Sequence, residues 1–297
     1  MIKIIFLGTS AMVPTKERNH SALLLIHDEE SMLFDCGEGT QRQLRIAGIS
    51  PATITRVYIS HWHGDHVLGL PGLMQTMGMN NYEKTLKIYG PKGTKQHVNN
   101  IYKAFSFEKK ISVEIHEAKK GEITDEKKFW VYAEKLQHSV ECLGFKFIEK
   151  DTRKIELEKA RKLGLSEGPL LGELQSGKTI NFKGKKIKPD DVSYVKEGKK
   201  IGLIFDTAPC NGALAIAKDV DLLICEATFA TTLENKGELY GHMTAKQAAQ
   251  LASQANSKKL IMTHFSQRYK DVDELLQEAK TIFENTICAY DFLKINL

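Results

Sequence analysis

Three histidines and an aspartate crowd residues 61–66 (HWHGDH), directly after the strand-like run RVYIS and before a glycine-rich stretch. A solvated loop is the ordinary explanation for a single histidine. Four side chains that can bind metal within six positions favour a metal centre instead, because alternating side chains at a strand end can converge on one ion. The run therefore predicts a metal site built where a strand ends.

Further candidate ligands follow other apolar runs, namely VYAEKLQ, GLIF and KLIMT. Together with the first run they make a set of seven: His61, His63, Asp65, His66, His138, Asp206 and His264. Strand ends of one sheet lie along one edge, so these side chains can meet although they are far apart in sequence. Seven nitrogen and oxygen ligands are too many for one tetrahedral ion. They suit two ions about 3.5–4 Å apart, which a carboxylate such as Asp206 can bridge. Taken alone, His138 and His264 would be assigned to the core.

The pattern of apolar runs predicts an α/β sandwich that forms one domain over residues 1–297. Short β-rich runs open the chain, and three more return after residue 199. Predicted helices lie between them: GTQRQLRIAG closed by Gly48, a Met-rich helix after HWHGDH, a helix near 92–105, NGALAIAKD with Asn211 as N-cap, TAKQAAQLASQAN with a Thr244–Gln247 capping box, and DVDELLQEAKTIFEN.

The cysteines and the apolar runs indicate a compartment. Five dispersed cysteines without a CxxC pair are typical of reduced intracellular thiols, and their absence from the ligand set favours a hydrolytic site over a structural zinc knot. The N-terminal run MIKIIFLGTSAMVP lacks the basic start of a signal peptide, and no stretch approaches the roughly 18 apolar residues of a membrane helix. The sequence therefore predicts a cytoplasmic protein with no membrane partner.

The net charge of +5 is unevenly distributed. Between Lys150 and Lys200 fourteen Lys and Arg stand against eight Asp and Glu, so the remaining residues sum to about −1 and the positive charge is assigned to this segment. Residues 151–162 are predicted to form a charged helix, followed by glycine-punctuated and lysine-rich turns. Few large apolar groups are expected there, which predicts an inserted flexible arm at 151–197. A solvated surface decoration is the alternative.

The motifs together carry a family resemblance. HWHGDH resembles the HxHxDH signature of the metallo-β-lactamase superfamily, whose fold is an αββα sandwich with a dinuclear site at its edge. Seven segments spanning residues 6–269 are similar to the short form of ribonuclease Z (tRNase Z): FLGTSAMVPTKERN, LFDCGEGTQRQL, SHWHGDHVLGLPGL, FDTAPC, EATF, GHMTAKQAA and MTHFSQRY. HxHxDH alone is general to the superfamily, whereas PTKERN and MTHFSQRY make the resemblance specific.

The resemblance implies a ligand set and a cofactor of two Zn²⁺ per subunit, with Mn²⁺ as an alternative. It assigns His61, His63, His138 and Asp206 to one ion, and Asp65, His66, Asp206 and His264 to the other. Asp65 would also accept a proton from the attacking water. The chain departs from the family pattern at three positions next to the site: Phe205, Ala208 and Cys225 stand where the family usually has Gly, Arg and His.

The resemblance also implies roles for residues outside the ligand set. His242, in YGHMT, matches the family's proton donor to the O3′ leaving group and would be oriented by Glu226; an exposed loop residue is the alternative. The PTKERN loop, with Lys16, Arg18 and Asn19, would lie near the cleavage site. The run GPLLGELQSG resembles the exosite that grips the tRNA elbow. With the following lysines it gives a list of substrate-binding residues: Gly168, Pro169, Gly172, Gly177, Lys178, Lys183, Lys185 and Lys186.

These observations predict a zinc-dependent endoribonuclease that removes the 3′ trailer from precursor tRNA. It would leave a 3′-hydroxyl on the tRNA and a 5′-phosphate on the trailer, and the resemblance implies a homodimer. Two alternatives remain at this point. One is a thioester, lactam or small-phosphodiester hydrolase of the same fold, for which a lysine-rich arm has no use. The other is a non-catalytic RNA-binding module with structural zinc, which needs neither a water-activating acid nor a proton donor.

Overall fold

Two seven-stranded sheets dominate the computed structural model, which describes residues 1–106 and 110–297. The first sheet has the spatial order β18 (Lys294–Asn296), β1 (Ile2–Gly8), β2 (Ala22–His27), β3 (Glu30–Phe34), β4 (Ile54–Tyr58), β5 (Thr85–Gly90) and β6 (Ser112–Glu117). The second has the order β17 (Thr286–Cys288), β16 (Leu260–Thr263), β15 (Leu222–Glu226), β14 (Lys200–Ile204), β9 (Cys142–Glu149), β8 (Phe129–Leu136) and β7 (Gly121–Asp125).

Parallel pairing in each sheet brings strand ends together. Strands β3 to β6 run parallel in the first sheet, and β14 to β17 run parallel in the second. The carboxyl ends of parallel strands lie at the same edge, which is where open α/β sheets place their ligands. The inner faces of the two sheets meet through aromatic rings, with Phe145 of β9 lying 5.7 Å from both Phe34 and Tyr58 between ring centroids.

Helices cover the outer face of each sheet. Leu44, Leu73 and Val98 pack onto the first sheet, and Ile216 and Ala248 belong to the core on the second. Outside residues 148–199, the helices described are α1 (Thr40–Ile46), α2 (Gly64–Val67), α3 (Leu70–Met79), α4 (Thr94–Ala104), α8 (Asn211–Ala217), α9 (Glu234–Tyr240), α10 (Ala245–Gln254) and α11 (Asp273–Lys280), with 3₁₀ turns at Pro51–Thr53 and Thr231–Leu233. The order helix, sheet, sheet, helix confirms the predicted αββα sandwich.

Two helix starts test the predicted caps. The capping box of α10 is confirmed, since the Thr244 hydroxyl accepts from the backbone N–H of Gln247 while the Gln247 side chain accepts from that of Thr244. The predicted cap of α8 was wrong. Asn211 is already helical, and the Sγ of Cys210 accepts from the N–H of Ala213 at 3.4 Å. An extended backbone at Cys210 starts the helix one residue earlier than the Asn suggested.

The chain divides into two compact units, and the second comprises Glu126–Trp130 and Ile148–Lys199. This second unit contains the predicted arm. Its elements are β10 (Thr152–Ile155), α5 (Leu157–Lys162), α6 (Pro169–Gln175), β11 (Ile180–Phe182), β12 (Lys185–Ile187), α7 (Pro189–Val192) and β13 (Ser193–Lys196). The prediction of one charged helix over 151–162 was wrong in its first part, because β10 pairs antiparallel with β13 and that pairing overrides the helical pattern.

The arm also has an apolar core of its own. Leu174 is fully buried among six further buried apolar side chains: Ala160, Leu165, Leu171, Ile180, Ile187 and Val192. The expectation of few large apolar groups was therefore wrong, because small groups of them are spread over several short elements. The predicted lysine-rich turn is the tip of the β11–β12 hairpin, where Lys183 and Gly184 both have positive φ as a two-residue hairpin loop requires.

No helix among the described residues is both long enough and apolar enough to cross a bilayer.

Candidate active site

All seven predicted ligands lie together at one edge of the sandwich. Four of them come from the loop after β4 and from α2, the short helix that begins at Gly64. The other three each follow a strand: His138 follows β8, Asp206 follows β14 and His264 follows β16. Five of the seven are buried, namely His61, Asp65, His66, Asp206 and His264. The strand ends therefore hold the donor atoms in positions from which they can bind a metal ion.

The first group of donors has tetrahedral spacing. The Nε2 of His61 lies 3.0 Å from the Nδ1 of His63, and the Nε2 of His138 lies 3.2 Å from that same Nδ1. The Oδ2 of Asp206 is 3.6 Å from the His61 Nε2 and 3.8 Å from the His138 Nε2. A zinc ion with ligands at about 2.0–2.1 Å has donors about 3.3 Å apart, so these four atoms fit one such ion.

The second group shares Asp206 through its other oxygen. The Oδ1 of Asp206 lies 3.3 Å from the Nε2 of His66 and 3.2 Å from the Nε2 of His264. The Oδ2 of Asp65 lies 3.3 Å from the His66 Nε2 and 3.5 Å from the His264 Nε2. Asp206 thus presents one oxygen to each group, as a bridging carboxylate does.

Three buried atoms in the second group indicate that a cation belongs there. The Nε2 atoms of His66 and His264 and the Oδ1 of Asp206 are buried without a hydrogen-bond partner. Such orphaned polar groups are rare in proteins because each one costs the free energy of its desolvation. A divalent metal that accepts lone pairs from all three would satisfy them at once, so the residues present fit a metal site.

The pKa shifts of the first group suit coordination, whereas in the second group Asp206 and Asp35 outweigh burial and raise the pKa of His66, so that a metal ion would have to displace its proton. Burial lowers the pKa of both His61 and His63, which favours the neutral imidazole that binds metal. Burial by itself would raise the pKa of Asp206, but the neighbouring His264 and His66 outweigh it and hold that pKa well below the usual aspartate range. The bridging carboxylate is therefore charged.

Asp35 and Ser60, which follow strands of the first sheet, contact two of the predicted ligands. Asp35 accepts from the Nδ1 of His66 at 2.7 Å, and it also accepts from the backbone N–H and the hydroxyl of Ser60. The Ser60 hydroxyl lies 3.0 Å from the Nδ1 of His61. A carboxylate behind a histidine fixes the ring and its tautomer. Sequence reasoning missed Asp35, although its position after β3 in LFDCGEG gave the same strand-end signal as the ligands.

His138 and His264 contact groups in loops, namely Gly241 at the end of α9 and Thr228 after β15. The Nδ1 of His138 lies 2.9 Å from the backbone carbonyl of Gly241, and the Nδ1 of His264 lies 3.0 Å from the Thr228 hydroxyl. His264 also has a φ of 59°, in the left-handed region that few non-glycine residues adopt. Strained backbone of this kind clusters at functional sites, because the surrounding structure must hold it.

Asp65 is held by the N-terminal loop. Its Oδ2 accepts from the backbone N–H of Met12 at 2.8 Å, and the Met12 carbonyl lies 3.0 Å from the Nε2 of His20. Burial raises the pKa of Asp65, but its hydrogen bonds with His264 and His66 outweigh burial and lower that pKa. A backbone donor such as Met12 leaves no sequence signal, so sequence reasoning missed this contact.

His242 lies beside the predicted ligands, and its Nδ1 contacts the carboxylate of Glu226, which is outside the predicted ligand set. Its Nδ1 is 3.1 Å from the Oε1 of Glu226, which is fully buried. Glu226 is fixed in turn, since it accepts from the backbone N–H of Thr207 at 2.6 Å and from the Thr228 hydroxyl at 2.5 Å. Burial lowers the pKa of His242, but Glu226 outweighs it and raises that pKa to about 9. The imidazole is thereby kept in the protonated form that can donate.

A cavity of about 510 Å³ opens above the donors. It is lined by His63, His242 and three members of the second group, Asp65, Asp206 and His264. Its rim combines apolar side chains with the exposed Gln267 and Arg268. Met12, Leu239 and Tyr240 on the rim are 69%, 75% and 56% exposed. Exposed apolar side chains beside charged donors and an arginine suit a ligand with an anionic group at its centre and flat apolar surfaces beside it, as in a nucleotide with an unpaired base.

The PTKERN residues are placed differently from one another. Arg18 is buried, and its guanidinium donates to the carbonyls of Ser266 and Tyr269, so it holds the loop and is not offered to a ligand. Lys16 is exposed. Asn19 is half-buried and donates through its side chain to the carbonyl of Glu38.

Asp291, near the C-terminus, fastens this loop. Its carboxylate accepts from the backbone N–H of Asn19, from the Thr9 hydroxyl and from the Gln43 amide. Burial raises the pKa of Asp291 to about 6, although the hydrogen bonds from Asn19 and Thr9 oppose the shift. Sequence reasoning missed Asp291, because a single acid near the chain end shows no pattern.

The predicted arm residues are all on the surface. Gly168 and Pro169 begin α6, and a side chain added at Gly172 or Gly177 would meet open space. The four predicted lysines are exposed: Lys178, Lys183, Lys185 and Lys186. They have the exposure that phosphate contacts need.

None of the three departures from the family pattern falls within the described metal-ligating groups. Phe205 is buried, with its ring 6.4 Å from that of His66. Cys225 is buried in the core on the second sheet. Ala208 contributes its backbone N–H, which donates to the carbonyl of Gln137 at 2.8 Å. Phe205 and Cys225 therefore serve in packing, and Ala208 serves through its backbone.

Curated relatives match the whole chain. The ribonuclease Z of Methanothermobacter thermautotrophicus is 40% identical over 298 residues, covering 100% of this chain and 97% of its own. That of Archaeoglobus fulgidus is 41% identical over 302 residues, covering 100% and 98%. The ribonuclease BN of Escherichia coli is 40% identical over 305 residues and covers both chains completely.

Solved structures match as well. Human tRNase Z, short form, superimposes with a TM-score of 0.73 at 28% identity, over 99% of this chain and 98% of its own. The metallo-β-lactamase fold protein YhfI from Bacillus subtilis gives a TM-score of 0.71 at 18% identity, over 99% and 98%, which supports the fold alone. A family model described as anti-Pycsar protein Apyc1 matches residues 2–141.

Proposed function

Because the chain belongs to the ribonuclease Z family and is a hydrolytic tRNA-processing endoribonuclease, we propose that it removes the 3′ trailer from precursor tRNA with two zinc ions. The products would be a tRNA with a 3′-hydroxyl and a trailer with a 5′-phosphate. The observation that carries the proposal is the pair of donor groups joined by the two oxygens of Asp206. Mn²⁺ is the alternative metal.

The donor groups define what the metals would do. Held by the two groups, divalent ions would supply an activated water near neutral pH and offset the negative charge of the scissile phosphate. Asp65 is positioned to accept the proton of the attacking water, because it lines the cavity and is charged. The Met12 N–H keeps its carboxylate in one orientation.

His242 would complete the reaction. The ribose O3′ is a poor leaving group, so its departure needs a proton. His242 lines the same cavity, is kept protonated by Glu226, and uses only Nδ1 in that contact, which leaves Nε2 for the leaving oxygen. Glu226 therefore acts through His242 as a positioning residue.

Binding of the tRNA body is assigned to the arm. Its lysines are exposed and would contact phosphates with little sequence discrimination, and its exposed glycines leave room for the RNA backbone to approach. Lys16 and Asn19 would contact RNA near the cleavage site, with Arg18 holding their loop. A homodimer, in which the arm of one subunit serves the active site of the other, is part of the proposal, as is a cytoplasmic location.

Product mapping tests this function. Purified protein is incubated with Zn²⁺ or Mn²⁺ and a precursor tRNA, and both new ends are identified by ligation and mass spectrometry. We expect a 3′-hydroxyl on the tRNA and a 5′-phosphate on the trailer. A 5′-hydroxyl on the trailer would rule out the proposed roles of Asp65 and His242, and an uncut precursor would rule out the function.

A further inference from the structure

A second basic segment lies outside the arm. Residues 84–120 contain nine lysines against three glutamates. The net charge of the residues outside 150–200 is about −1, because acidic residues elsewhere in the chain offset the positive charge of this segment. The assignment of the positive charge to the arm alone was therefore wrong, and the second segment needs an explanation of its own.

The lysines of this segment are concentrated at helix α4. Lys92 precedes the helix, and Lys95, Asn99 and Lys103 form one stripe along it, because residues four apart on a helix share a face. The rise of 1.5 Å per residue places neighbours in the stripe about 6 Å apart along the axis. All four side chains are exposed.

The stripe forms one wall of a groove of about 710 Å³. The other lining side chains are the amides of Gln96 and Asn100 and two glutamates, Glu117 and Glu141. Both acids are already engaged: Glu117 accepts from the backbone N–H groups of Gly93 and Lys95, and Glu141 accepts from Lys135.

The groove lysines have no such partner among the residues that the structure describes. Within residues 1–106 and 110–297, no ion pair is described for Lys92, Lys95 or Lys103. The groove therefore offers free cations and amides, which are the groups that bind a phosphate backbone and its sugar hydroxyls.

The groove lies directly beside the proposed active site. Trp62, between two metal-ligating histidines, stacks on His97 of α4 with ring centroids 4.5 Å apart, and its Nε1 donates to the Thr94 hydroxyl at 2.9 Å. One short loop separates the two spaces, since Ser139 lines the cavity over the ligands and Glu141 lines the groove. A strand whose phosphate sits at the proposed ligands can therefore continue towards the groove.

From these contacts we infer that the α4 groove binds the backbone of the single-stranded 3′ trailer, an inference that rests on the proposed function. The polar and cationic lining contacts phosphates and riboses rather than base edges, so it accepts trailers of any sequence. One stripe of cations along a single helix suits one strand better than the wide, two-stranded acceptor stem.

Precursors with trailers of different length test this inference separately from the proposed function. The triple variant Lys92→Gln/Lys95→Gln/Lys103→Gln is compared with wild type on two precursors that differ only in carrying one or ten trailer nucleotides. We expect its KM to rise on the order of tenfold with the long trailer and to stay unchanged with the short one. The slope of log affinity against log salt should fall by about 2, because each single-strand phosphate contact contributes about 0.7.

The control removes the same charge elsewhere, in Lys218→Gln/Lys246→Gln/Lys294→Gln, three lysines that are exposed and lie outside the groove lining. It should behave as wild type. Equal losses on both precursors would assign the groove to the tRNA body, and no loss on either would make it plain surface; both results overturn the inference. Wild-type failure to cut the short-trailer precursor would contradict the proposed function, and anisotropy of a fluorescein-labelled ten-nucleotide RNA would then still report groove binding.

Discussion

The ligand edge of the sandwich and the arm are built on opposite principles. At the ligand edge, buried side chains that are far apart in sequence are fixed by strand ends and by hydrogen bonds such as that from His66 to Asp35. The arm, residues 151–197, lies within the second unit, is local in sequence, has its own small apolar core and carries its cations on the outside. Chemistry needs fixed, desolvated donors, whereas long-range attraction to a polyanion needs only exposed charge.

We therefore expect substitutions in the two regions to affect the cleavage of different substrates. Changes at the ligand edge should lower the rate on any phosphodiester. Changes in the arm should affect only large, highly charged substrates, and salt should suppress their effect.

The largest effect is expected from His63→Ala. Loss of this donor from the first group should lower metal content and reduce the rate on the order of 10³-fold or more, because a bound metal contributes several kcal/mol to the transition state. Elemental analysis and kinetics measure both. His116→Ala is the matched control, since His116 is exposed and lies outside the described ligand groups. Full metal content with normal turnover in His63→Ala would remove His63 from the ligands.

His242→Ala should have the next largest effect. The variant loses the proton donor but no donor of the two proposed metal groups, so metal content and tRNA affinity should persist while the single-turnover rate falls by about 10²–10⁴-fold. The loss should shrink for a substrate whose leaving group is a p-nitrophenolate, because that group departs without a proton. An equal loss on both substrates would assign His242 a structural role.

The sequence was informative where function leaves residue patterns. Ligand types after apolar runs pointed to the sheet edge, and motifs over most of the chain pointed to the family. Asp35 could have been found in the same way, since it also follows a strand. The Met12 N–H and the Gly241 carbonyl could not, because any residue supplies a backbone group.

Contacts between segments that are far apart in sequence explain why the secondary structure of the arm was wrongly predicted. The charged run from residue 151 predicts a helix, but residues 152–155 include the β-branched Thr152 and Ile155 and form a strand, because β13 supplies a partner about forty residues further along the chain. Likewise, the arm's apolar residues are too scattered to show one period, and they form a core only when five short elements fold together.

A smaller effect on activity is expected from Leu174→Ala, which compares the two cores directly. The cavity left in the arm should destabilise it by about 2–5 kcal/mol. Hydrogen exchange should accelerate in the arm while amides around Asp206 stay protected, and precursor tRNA cleavage should weaken a few-fold through KM. The matched change Leu73→Ala, in the core on the first sheet, should instead lower the protection of that sheet. Loss of protection at both places in Leu174→Ala would mean that the arm does not fold as a separate unit.

The separation of chemistry from binding is tested most directly by removing the arm. Thr152 pairs with Lys196, so deleting Arg153–Tyr194 leaves ends that a short glycine linker can join. The account predicts unchanged metal content and undiminished hydrolysis of bis(p-nitrophenyl) phosphate, while kcat/KM for precursor tRNA collapses through KM and its salt dependence flattens. If the shortened protein processed precursor tRNA as well as the intact one, or lost both activities together with its metal, the division of labour would be contradicted.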